Sequence, residues 1–218
     1  PHPVDGFQVI ETHISWVILT GPFAYKVKKP VNFGFLDFTN VDAREHFCGE
    51  ELRLNQRLTN DLYLEVLPIT GSAEAPQIGG DGPAIDFMLK MRQFPQSQLL
   101  STLQANGELT TAHIDEMAAQ IAHFHLTAPK VPAEHDAGTP DSVMAPVSQN
   151  FEQILPFLSD KNDLLQLEAL KAWAESSFER LKPLFAQRKT EGFTRECHGD
   201  IHLGNATVID GKVVIFDC

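Results

Sequence analysis

The most informative part of the sequence is Cys197-His198-Gly199-Asp200-Ile201-His202-Leu203-Gly204-Asn205, followed two residues later by Val208-Ile209-Asp210-Gly211-Lys212-Val213-Val214-Ile215-Phe216-Asp217. The second part places Asp-Gly between two runs rich in Val and Ile, which is the strongest short-range signal for a two-residue β-hairpin. The first part, with its glycines and polar residues, predicts a loop. The sequence therefore predicts a loop that runs into a tight hairpin and ends in an acidic residue.

Three side chains of this stretch offer oxygen atoms at defined points. Asp200 lies in the loop, Asn205 follows it by five residues, and Asp217 ends the apolar strand Val213 to Phe216. A loop carboxylate such as Asp200 is suited to accept a proton from a substrate hydroxyl. Amide and carboxylate oxygens such as those of Asn205 and Asp217 are the ligands that Mg²⁺ prefers. These residue types suit a catalytic base at Asp200 and a magnesium site at Asn205 and Asp217. The alternatives are a loop aspartate that bonds its own backbone, a turn-forming asparagine and a surface carboxylate at the end of a strand.

Composition narrows the class of protein. The chain has 218 residues, 17 Lys and Arg against 29 Asp and Glu, and a formal net charge of −12. An acidic chain of this kind lacks the basic face that nucleic acid requires. Three widely spaced cysteines, Cys48, Cys197 and Cys218, predict neither a disulfide framework nor a cysteine zinc site and favour a cytoplasmic location. No apolar run approaches the ~20 residues of a membrane span, so we expect no membrane partner.

The order of predicted elements is strands, one helix, more strands and then helices. We expect strands within 7–19, at 23–28, at 62–69 and at 84–91, with a turn region from Gly71 to Pro83. A helix capped by Thr39 or Asn40 is predicted over 41–58, and further helices over 111–128, 148–158 and 163–186. The four prolines within 129–147 predict a loop there. This is an α+β, two-lobed plan, with an N-terminal lobe at 1–95 and a partial C-terminal lobe at 96–218.

Lys26 and Glu51 are predicted to form an ion pair. In the helix 41–58, Phe47, Leu54 and Leu58 form an apolar stripe that includes Glu51. A carboxylate on a buried face needs a partner, because an unpaired buried charge is costly. Lys26 on the third predicted strand is our first choice, with Glu50 the alternative to Glu51. Lys28 lies on the same face of the strand as Lys26, because side chains alternate between the two faces. The alternative is that both lysines are exposed on the strand.

Two histidines leave a different reading of the loop open. His198 and His202 flank Asp200 as His-x-Asp-x-His, and both residue types are zinc ligands. The spacing does not match a helical His-x-x-x-His pair, and no further ligand cluster is evident in the sequence. We expect His198 to pack the loop and His202 to be exposed or to face a substrate.

Taken together, these residues resemble the aminoglycoside phosphotransferase family, a branch of the protein-kinase-like superfamily. His198 to Asn205 is similar to its catalytic loop and Ile215-Phe216-Asp217 to its metal-binding strand end. The resemblance implies a two-lobed kinase-like fold, whose N-terminal lobe is an antiparallel sheet plus one helix and whose C-terminal lobe is mainly helical. It also implies further helices after Asp217, so the C-terminal lobe is truncated here and a fragment of a longer protein is expected.

The resemblance assigns roles to individual residues. It implies Asp200 as base, Asn205 and Asp217 as magnesium ligands, Lys26 on the phosphates of ATP and Glu51 holding Lys26. It implies a hinge near Lys90 to Phe94 whose backbone meets the adenine, and we expect Met91 and Gln93 to take part. The glycine-rich loop of kinases is absent, so a short turn at Glu11 to Ser15 is the expected cover for the phosphates.

The expected activity is therefore ATP- and Mg²⁺-dependent transfer of phosphate to a hydroxyl of a small molecule that is aminoglycoside-, choline- or sugar-like. An additional C-terminal domain in the full-length protein is left open. Two other functions remain as alternatives: a non-catalytic module that binds nucleotide, and a metal-dependent hydrolase that uses His198, Asp200 and His202.

Overall fold

The computed structural model describes residues 4–34, 36–59 and 61–218. The chain forms two compact units, one made of Pro1–Ala122 with His198–Cys218 and the other of His123–Cys197. The first unit joins the N-terminal strands to the hairpin at the end of the chain, and the second consists of helices. The predicted lobes, 1–95 and 96–218, divide the chain at a different place and stay a prediction.

Strands and helices follow the order that the sequence predicts, with helices after the N-terminal strands. Their bounds are β1 Gln8–Glu11, β2 Ser15–Thr20, β3 Phe23–Lys28, α1 Val41–Asn55, β4 Tyr63–Gly71, β5 Pro76–Ile78, β6 Asp86–Arg92, α2 Leu100–Ala105, α3 Thr111–Thr127, α4 Pro140–Ile154, α5 Lys161–Thr190, β7 Ala206–Ile209 and β8 Lys212–Ile215. The α+β class is confirmed.

The first unit is built on a six-stranded antiparallel sheet. Its strand order is β1-β2-β3-β6-β4-β5, and β7 and β8 form a separate hairpin. Strand β3 lies in the interior of this sheet, with Lys26 opposite Val17 of β2 and Leu89 of β6. Side chains alternate between the two faces of a strand, so Lys26 and Lys28 of β3 share one face. Strand β5 was not predicted, and its first residue, Pro76, occupies the edge position that a sheet tolerates.

Helix α1 begins where the sequence predicts but buries a different face. The Asn40 side chain caps it by accepting a hydrogen bond from the Ala43 N–H at 2.7 Å. The buried face consists of Arg44, Cys48, Glu51 and Asn55, whereas the predicted stripe of Phe47, Leu54 and Leu58 is only half-buried. The expected apolar stripe is therefore wrong, because polar side chains with partners in the fold occupy the centre of the interface. Glu51 nevertheless lies on the buried face, as predicted.

The hairpin β7–β8 confirms the turn that the Asp-Gly pair predicts. Asp210 and Gly211 have φ angles of 52° and 74°, the positive values that a type I′ turn requires at both central positions. Val213 and Ile215 of β8 pack with Leu100, Leu103 and Met117 in one of the two cores of this unit. The apolar side chains of β8 thus anchor the hairpin in the core. The residues after Ile215 therefore begin from a fixed position.

In the second unit, helix α4 shows that the predicted loop over 129–147 is wrong for residues 140–147, whereas 129–139 contain no helix. Pro140 stands at the first turn of α4, where its missing N–H costs little, and Thr139 caps the helix by accepting from the Ser142 N–H at 3.2 Å. Pro146 lies inside the helix, where proline costs about 3 kcal/mol. Val143 and Val147 of α4 line a cavity together with Phe178 of α5, so both helices contribute apolar side chains there.

Within the described ranges, none of the helices combines the length and the apolar composition needed to cross a bilayer.

The type I′ turn leads to a test of hairpin stability. A Cβ at Gly211 would meet no atom within 4 Å, so Gly211→Ala probes only the positive φ, and we expect it to destabilise the protein by about 1 kcal/mol. Gly49 in α1 is the matched control, because it has a helical backbone and equally open surroundings. Gly49→Ala should stabilise by about 0.5–1 kcal/mol. Urea unfolding measures both, and equal effects of the two substitutions would contradict the turn assignment.

Candidate active site

Lys26 is the central cation of the site. Its Nζ atom lies 2.8 Å from Glu51 Oε1 and 2.7 Å from Asp217 Oδ1. The side chain of Lys26 is only 12% exposed, because β3 presents it to the face of the sheet that α1 covers. The predicted ion pair between Lys26 and Glu51 is confirmed, and Asp217 is a second partner that the sequence did not indicate.

Lys28 also binds Glu51. Its Nζ atom lies 2.6 Å from Glu51 Oε2, and it stands 5.0 Å from the ring centroid of Phe38, within the range of a cation–π contact. Lys28 is buried, so the alternative of an exposed strand lysine is wrong for this residue. The carboxylate of Glu51 thus bridges two ammonium groups, one at each oxygen.

These contacts set the charge states of the cluster. Burial opposes the charged form of Lys26, but the carboxylates of Glu51 and Asp217 outweigh burial and raise the pKa of Lys26 above its ordinary value. Burial likewise opposes ionisation of Glu51, but Lys26 and Lys28 outweigh it and lower the pKa of Glu51. Lys26 and Glu51 are therefore both charged at neutral pH.

The loop that carries Asp200 is held by its neighbours in the motif. His198 is buried; its Nδ1 accepts from the Asp200 N–H at 3.2 Å and its Nε2 lies 3.0 Å from the Phe216 carbonyl oxygen. Asn205 donates from its side-chain nitrogen to the Asp200 carbonyl oxygen at 3.0 Å and to Asp200 Oδ2 at 3.2 Å. These bonds fix the loop while the Asp200 side chain stays 73% exposed, as a group that meets a substrate must.

Asp217 lies two residues after the end of β8 and has an unusual backbone conformation. Its φ angle is 62°, in the left-handed region that residues other than glycine seldom adopt. The Asp217 N–H donates to the Tyr63 hydroxyl oxygen at 3.1 Å, and the Asp217 side chain is 43% exposed. Oδ1 of the carboxylate thus pairs with Lys26, while the side chain remains exposed enough to contact a ligand.

The histidines flanking Asp200 behave differently from each other. Both ring nitrogens of His198 are engaged by protein atoms, as an imidazole that packs the loop would be. His202 is exposed, with Nε2 3.6 Å from Asp200 Oδ2 and Nδ1 accepting from the Gly204 N–H at 3.0 Å. Across the part of the chain that the structure describes, no group of three or more His, Cys, Asp and Glu side chains is arranged to hold a metal ion.

A cavity of about 200 Å³ opens beside Lys26 and has mostly apolar walls. Its walls come from β1 to β3, from β4 and β6, from the segment after β6 and from the hairpin. They are formed by Ile10, Thr12, Val17, Leu19, Ala24, Lys26, Tyr63, Met91, Arg92, Gln93, Phe94, Gln96, Leu99, Gly204, Asn205, Phe216 and Asp217. The apolar part suits a flat ring, and the end with Lys26, Asn205 and Asp217 suits a charged group and a cation.

A second cavity of about 490 Å³ shares Thr12, Lys26 and Asp217 with the first. Asp200 lines this second cavity, as do Lys28 and Glu51. The three residues of the motif are therefore brought together, since Asp217 lines both cavities, Asn205 lines the first and Asp200 the second. Thr12, at the rim of both, closes the β1–β2 turn through hydrogen bonds with Ser15, in the segment expected to cover phosphates.

Met91 and Gln93 both line the first cavity. Met91 is buried on β6 within the main core. The Gln93 N–H donates to the Pro22 carbonyl oxygen at 2.9 Å, and its side-chain nitrogen lies 3.2 Å from the carbonyl oxygens of Gly21 and Phe23. These bonds tie the segment after β6 to the β2–β3 turn. The roles of Met91 and Gln93 in binding a nucleotide stay predictions.

Sequence reasoning missed two residues at this site. Tyr63 and Asn55 hold the backbone at Asp217 and Cys218. Asn55 carried a usable signal, because it lies four residues after Glu51 and so on the same face of α1. No local pattern singles out Tyr63, since its partner lies 154 positions away.

Comparison with known proteins gives distant relatives. No family model matches the chain. The chain is 26% identical over 220 aligned positions to uncharacterized protein Mb2027c of Mycobacterium bovis and, equally, to uncharacterized protein Rv2004c of Mycobacterium tuberculosis strain H37Rv. Each match covers 100% of this chain and 43% of the relative. The chain thus spans less than half the length of these relatives.

The bridging carboxylate predicts a stability effect that depends on pH. Glu51→Gln takes the carboxylate partner from the buried Lys28 and leaves Lys26 paired with Asp217, and we expect a loss of about 3–5 kcal/mol at pH 7. The pKa of Glu51 is lowered from 4.5 in the folded protein, so its contribution is full above pH 4.5 and is lost as pH falls through the folded value. The difference between wild type and Glu51→Gln should therefore shrink below pH 4.5.

Urea unfolding at pH 7 and in the acid range tests this prediction. Glu50→Gln is the matched control, because Glu50 is the adjacent residue and pairs with Arg53 on the surface at 2.8 Å. A surface pair contributes about 0–1 kcal/mol. Similar losses for the two glutamine variants at pH 7 would contradict the bridging role of Glu51.

Proposed function

We propose that this protein is a phosphotransferase that uses ATP and Mg²⁺ to phosphorylate a hydroxyl group of a small molecule. The observation that carries the proposal is the convergence of Asp200, Asn205 and Asp217 with Lys26 around two adjoining cavities. Phosphoryl transfer needs little covalent chemistry from the protein and depends on positioning and charge stabilisation. A clustered base, two oxygen ligands and a buried cation meet these needs.

We also propose that the larger arrangement is the two-lobed protein-kinase-like fold of the aminoglycoside phosphotransferase family. Support comes from the six-stranded sheet with its one covering helix, from the ion pair between that helix and β3, and from the hairpin that follows the Asp200 loop. The family resemblance of the motif and these features point the same way.

The residues present fit a magnesium ion and a nucleotide. The side-chain nitrogen of Asn205 is turned to Asp200, which leaves its carbonyl oxygen as a neutral ligand, and Asp217 supplies a carboxylate. A bound magnesium ion would neutralise charge on the phosphates. Lys26 is the residue for direct contact with phosphate oxygens, with Glu51 holding it in place, and Met91 and Gln93 border the apolar part where the adenine would lie.

In the proposed reaction, Asp200 orients the acceptor hydroxyl and takes its proton. The hydroxyl oxygen forms a bond to the γ-phosphorus as the bond from phosphorus to ADP breaks. Asn205 keeps the Asp200 carboxylate directed through its bond to Oδ2, and the exposure of Asp200 gives the acceptor access. Lys26 stabilises negative charge on the transferred group, and Glu51 with Lys28 fixes the lysine against the sheet.

The acceptor is proposed to be an aminoglycoside-, choline- or sugar-like molecule in the cytoplasm. The formal net charge of −12 supports a small or cationic acceptor over nucleic acid.

Replacement of the proposed base tests the function. We expect Asp200→Asn to lower turnover at least ~100-fold, because it removes the proton acceptor, while ATP affinity remains close to wild type. Asp210→Asn is the matched control: it makes the same change in the hairpin turn, where asparagine also tolerates a positive φ, and should keep full activity. Phosphate transfer from ATP to a panel of aminoglycosides, choline and sugars provides the assay. An unchanged rate in Asp200→Asn would refute the role of Asp200.

The same measurements separate the alternatives. Tight ATP binding without transfer to any acceptor on the panel would favour the non-catalytic nucleotide-binding module. Stoichiometric zinc together with hydrolytic activity would favour a hydrolase at His198, Asp200 and His202. Dependence of transfer on Mg²⁺ supports the phosphotransferase.

A further inference from the structure

The segment Phe216 to Cys218 holds its conformation through bonds to distant parts of the first unit. The Phe216 N–H donates to the Asn205 carbonyl oxygen at 2.9 Å, and the Phe216 carbonyl lies 3.0 Å from His198 Nε2. These bonds tie Phe216 to the Asp200 loop. The next residue, Asp217, has φ 62°, so something beyond the hairpin must maintain a backbone that non-glycine residues seldom adopt.

Two buried side chains supply that restraint. The Tyr63 hydroxyl oxygen accepts from the Asp217 N–H at 3.1 Å, and Asn55 Oδ1 accepts from the Cys218 N–H at 2.9 Å. Tyr63 is 1% exposed and Asn55 is fully buried. Tyr63 begins β4 and Asn55 ends α1, so two separate elements meet one short segment of backbone.

We propose that Tyr63 and Asn55 are positioning residues that hold Asp217 in its left-handed conformation and thereby direct its carboxylate toward Lys26 and the metal. This inference rests on the proposed function for the role of Asp217 as a metal ligand. The hold on the backbone itself stands on the contacts alone.

The chemistry of both side chains fits this role. The Asn55 amide is used at both ends, because its Nδ2 donates to the Glu51 carbonyl oxygen at 2.8 Å while its Oδ1 receives the Cys218 N–H. Its orientation is therefore fixed. The Tyr63 ring is buried in the core of the first unit, so its hydroxyl oxygen is held at the Asp217 N–H.

Helix α1 consequently reaches Asp217 by two routes. Glu51 binds Lys26, which binds the Asp217 carboxylate, and Asn55 binds the backbone of the following residue. Glu51 and Asn55 stand four residues apart on one helical face. Helix α1 therefore restrains both the Asp217 carboxylate and the backbone at Cys218. Tyr63, which belongs to the sheet, adds a restraint on the backbone at Asp217.

The test uses Tyr63→Phe, which removes one hydroxyl and keeps the ring that fills the core. Amide hydrogen exchange at Asp217 and Cys218, measured by NMR, reports the restraint, and ATP binding by calorimetry at a series of Mg²⁺ concentrations reports its consequence. We expect exchange at Asp217 to quicken at least ~10-fold. The Mg²⁺ concentration for half-maximal tightening of ATP binding should rise at least ~5-fold, because the backbone that directs the Asp217 carboxylate is no longer held.

Tyr25→Phe is the matched control, because Tyr25 lies on β3 but lines a cavity on the other side of the sheet from Lys26. It should alter neither quantity. Asn55→Ala is the second variant, and it should quicken exchange at Cys218 and raise the Mg²⁺ requirement in the same way.

The outcomes separate this inference from the proposed function. Faster exchange in Tyr63→Phe with an unchanged Mg²⁺ requirement would overturn the positioning role, and unchanged exchange would overturn the restraint. A wild-type protein that binds no ATP with or without Mg²⁺ would overturn the proposed function and the metal-directed half of the inference. In that case faster exchange in Tyr63→Phe would still support the hold on the backbone.

Discussion

The arrangement of the first unit depends on a single buried carboxylate held between two ammonium groups. Glu51 cannot be buried alone, because an uncompensated charge away from water is expensive. Its two oxygens bind Lys26 and Lys28 on alternate positions of β3, which sets both the rotation of α1 about its axis and its position along the strand. A change of one residue in that register would send both lysines to the other face of the sheet.

The same ion pair connects the sheet to the end of the hairpin. Lys26, which is held by Glu51, also pairs with the Asp217 carboxylate. Tyr63 and Asn55 bind the backbone N–H groups of Asp217 and Cys218. His198 and Asn205 then link this segment to the Asp200 loop. A continuous series of polar contacts therefore holds the candidate catalytic groups in place, and the hydrophobic cores beneath hold the elements that carry them. Such preorganisation is what a reaction based on positioning requires.

Local chemistry made part of this structure predictable. The Asp-Gly turn, the Asn40 cap and the period of two on β3 are properties of short segments, and the structure has all three. The pairing of Lys26 with Glu51 followed from the cost of burying a carboxylate. The buried face of α1 was not predictable from hydrophobicity, because its central residues, including Arg44 and Asn55, are polar and are satisfied by partners far away in the sequence.

Other features needed tertiary information for similar reasons. Pro146 argues against a helix locally, yet α4 forms with its first turn capped by Thr139 and with apolar side chains beside those of α5. The contacts of Tyr63 and Asn55 with the end of the chain span more than 150 residues, and no local pattern encodes them. Distant identity to uncharacterized relatives adds no assignment of role, so the chemical reading of the site relies on its geometry.

The sharing of Lys26 between two acids has a consequence for the order in which ligands arrive. Two lysines and two carboxylates, Lys26 and Lys28 with Glu51 and Asp217, sum to zero, and the neighbouring Asp200 adds a negative charge. A bare triphosphate would meet no net attraction there and would have to displace Asp217 from the lysine. For the proposed phosphotransferase, we expect the entrance to discriminate against free polyanions and to admit a nucleotide already complexed with its cation, so that the two bind together.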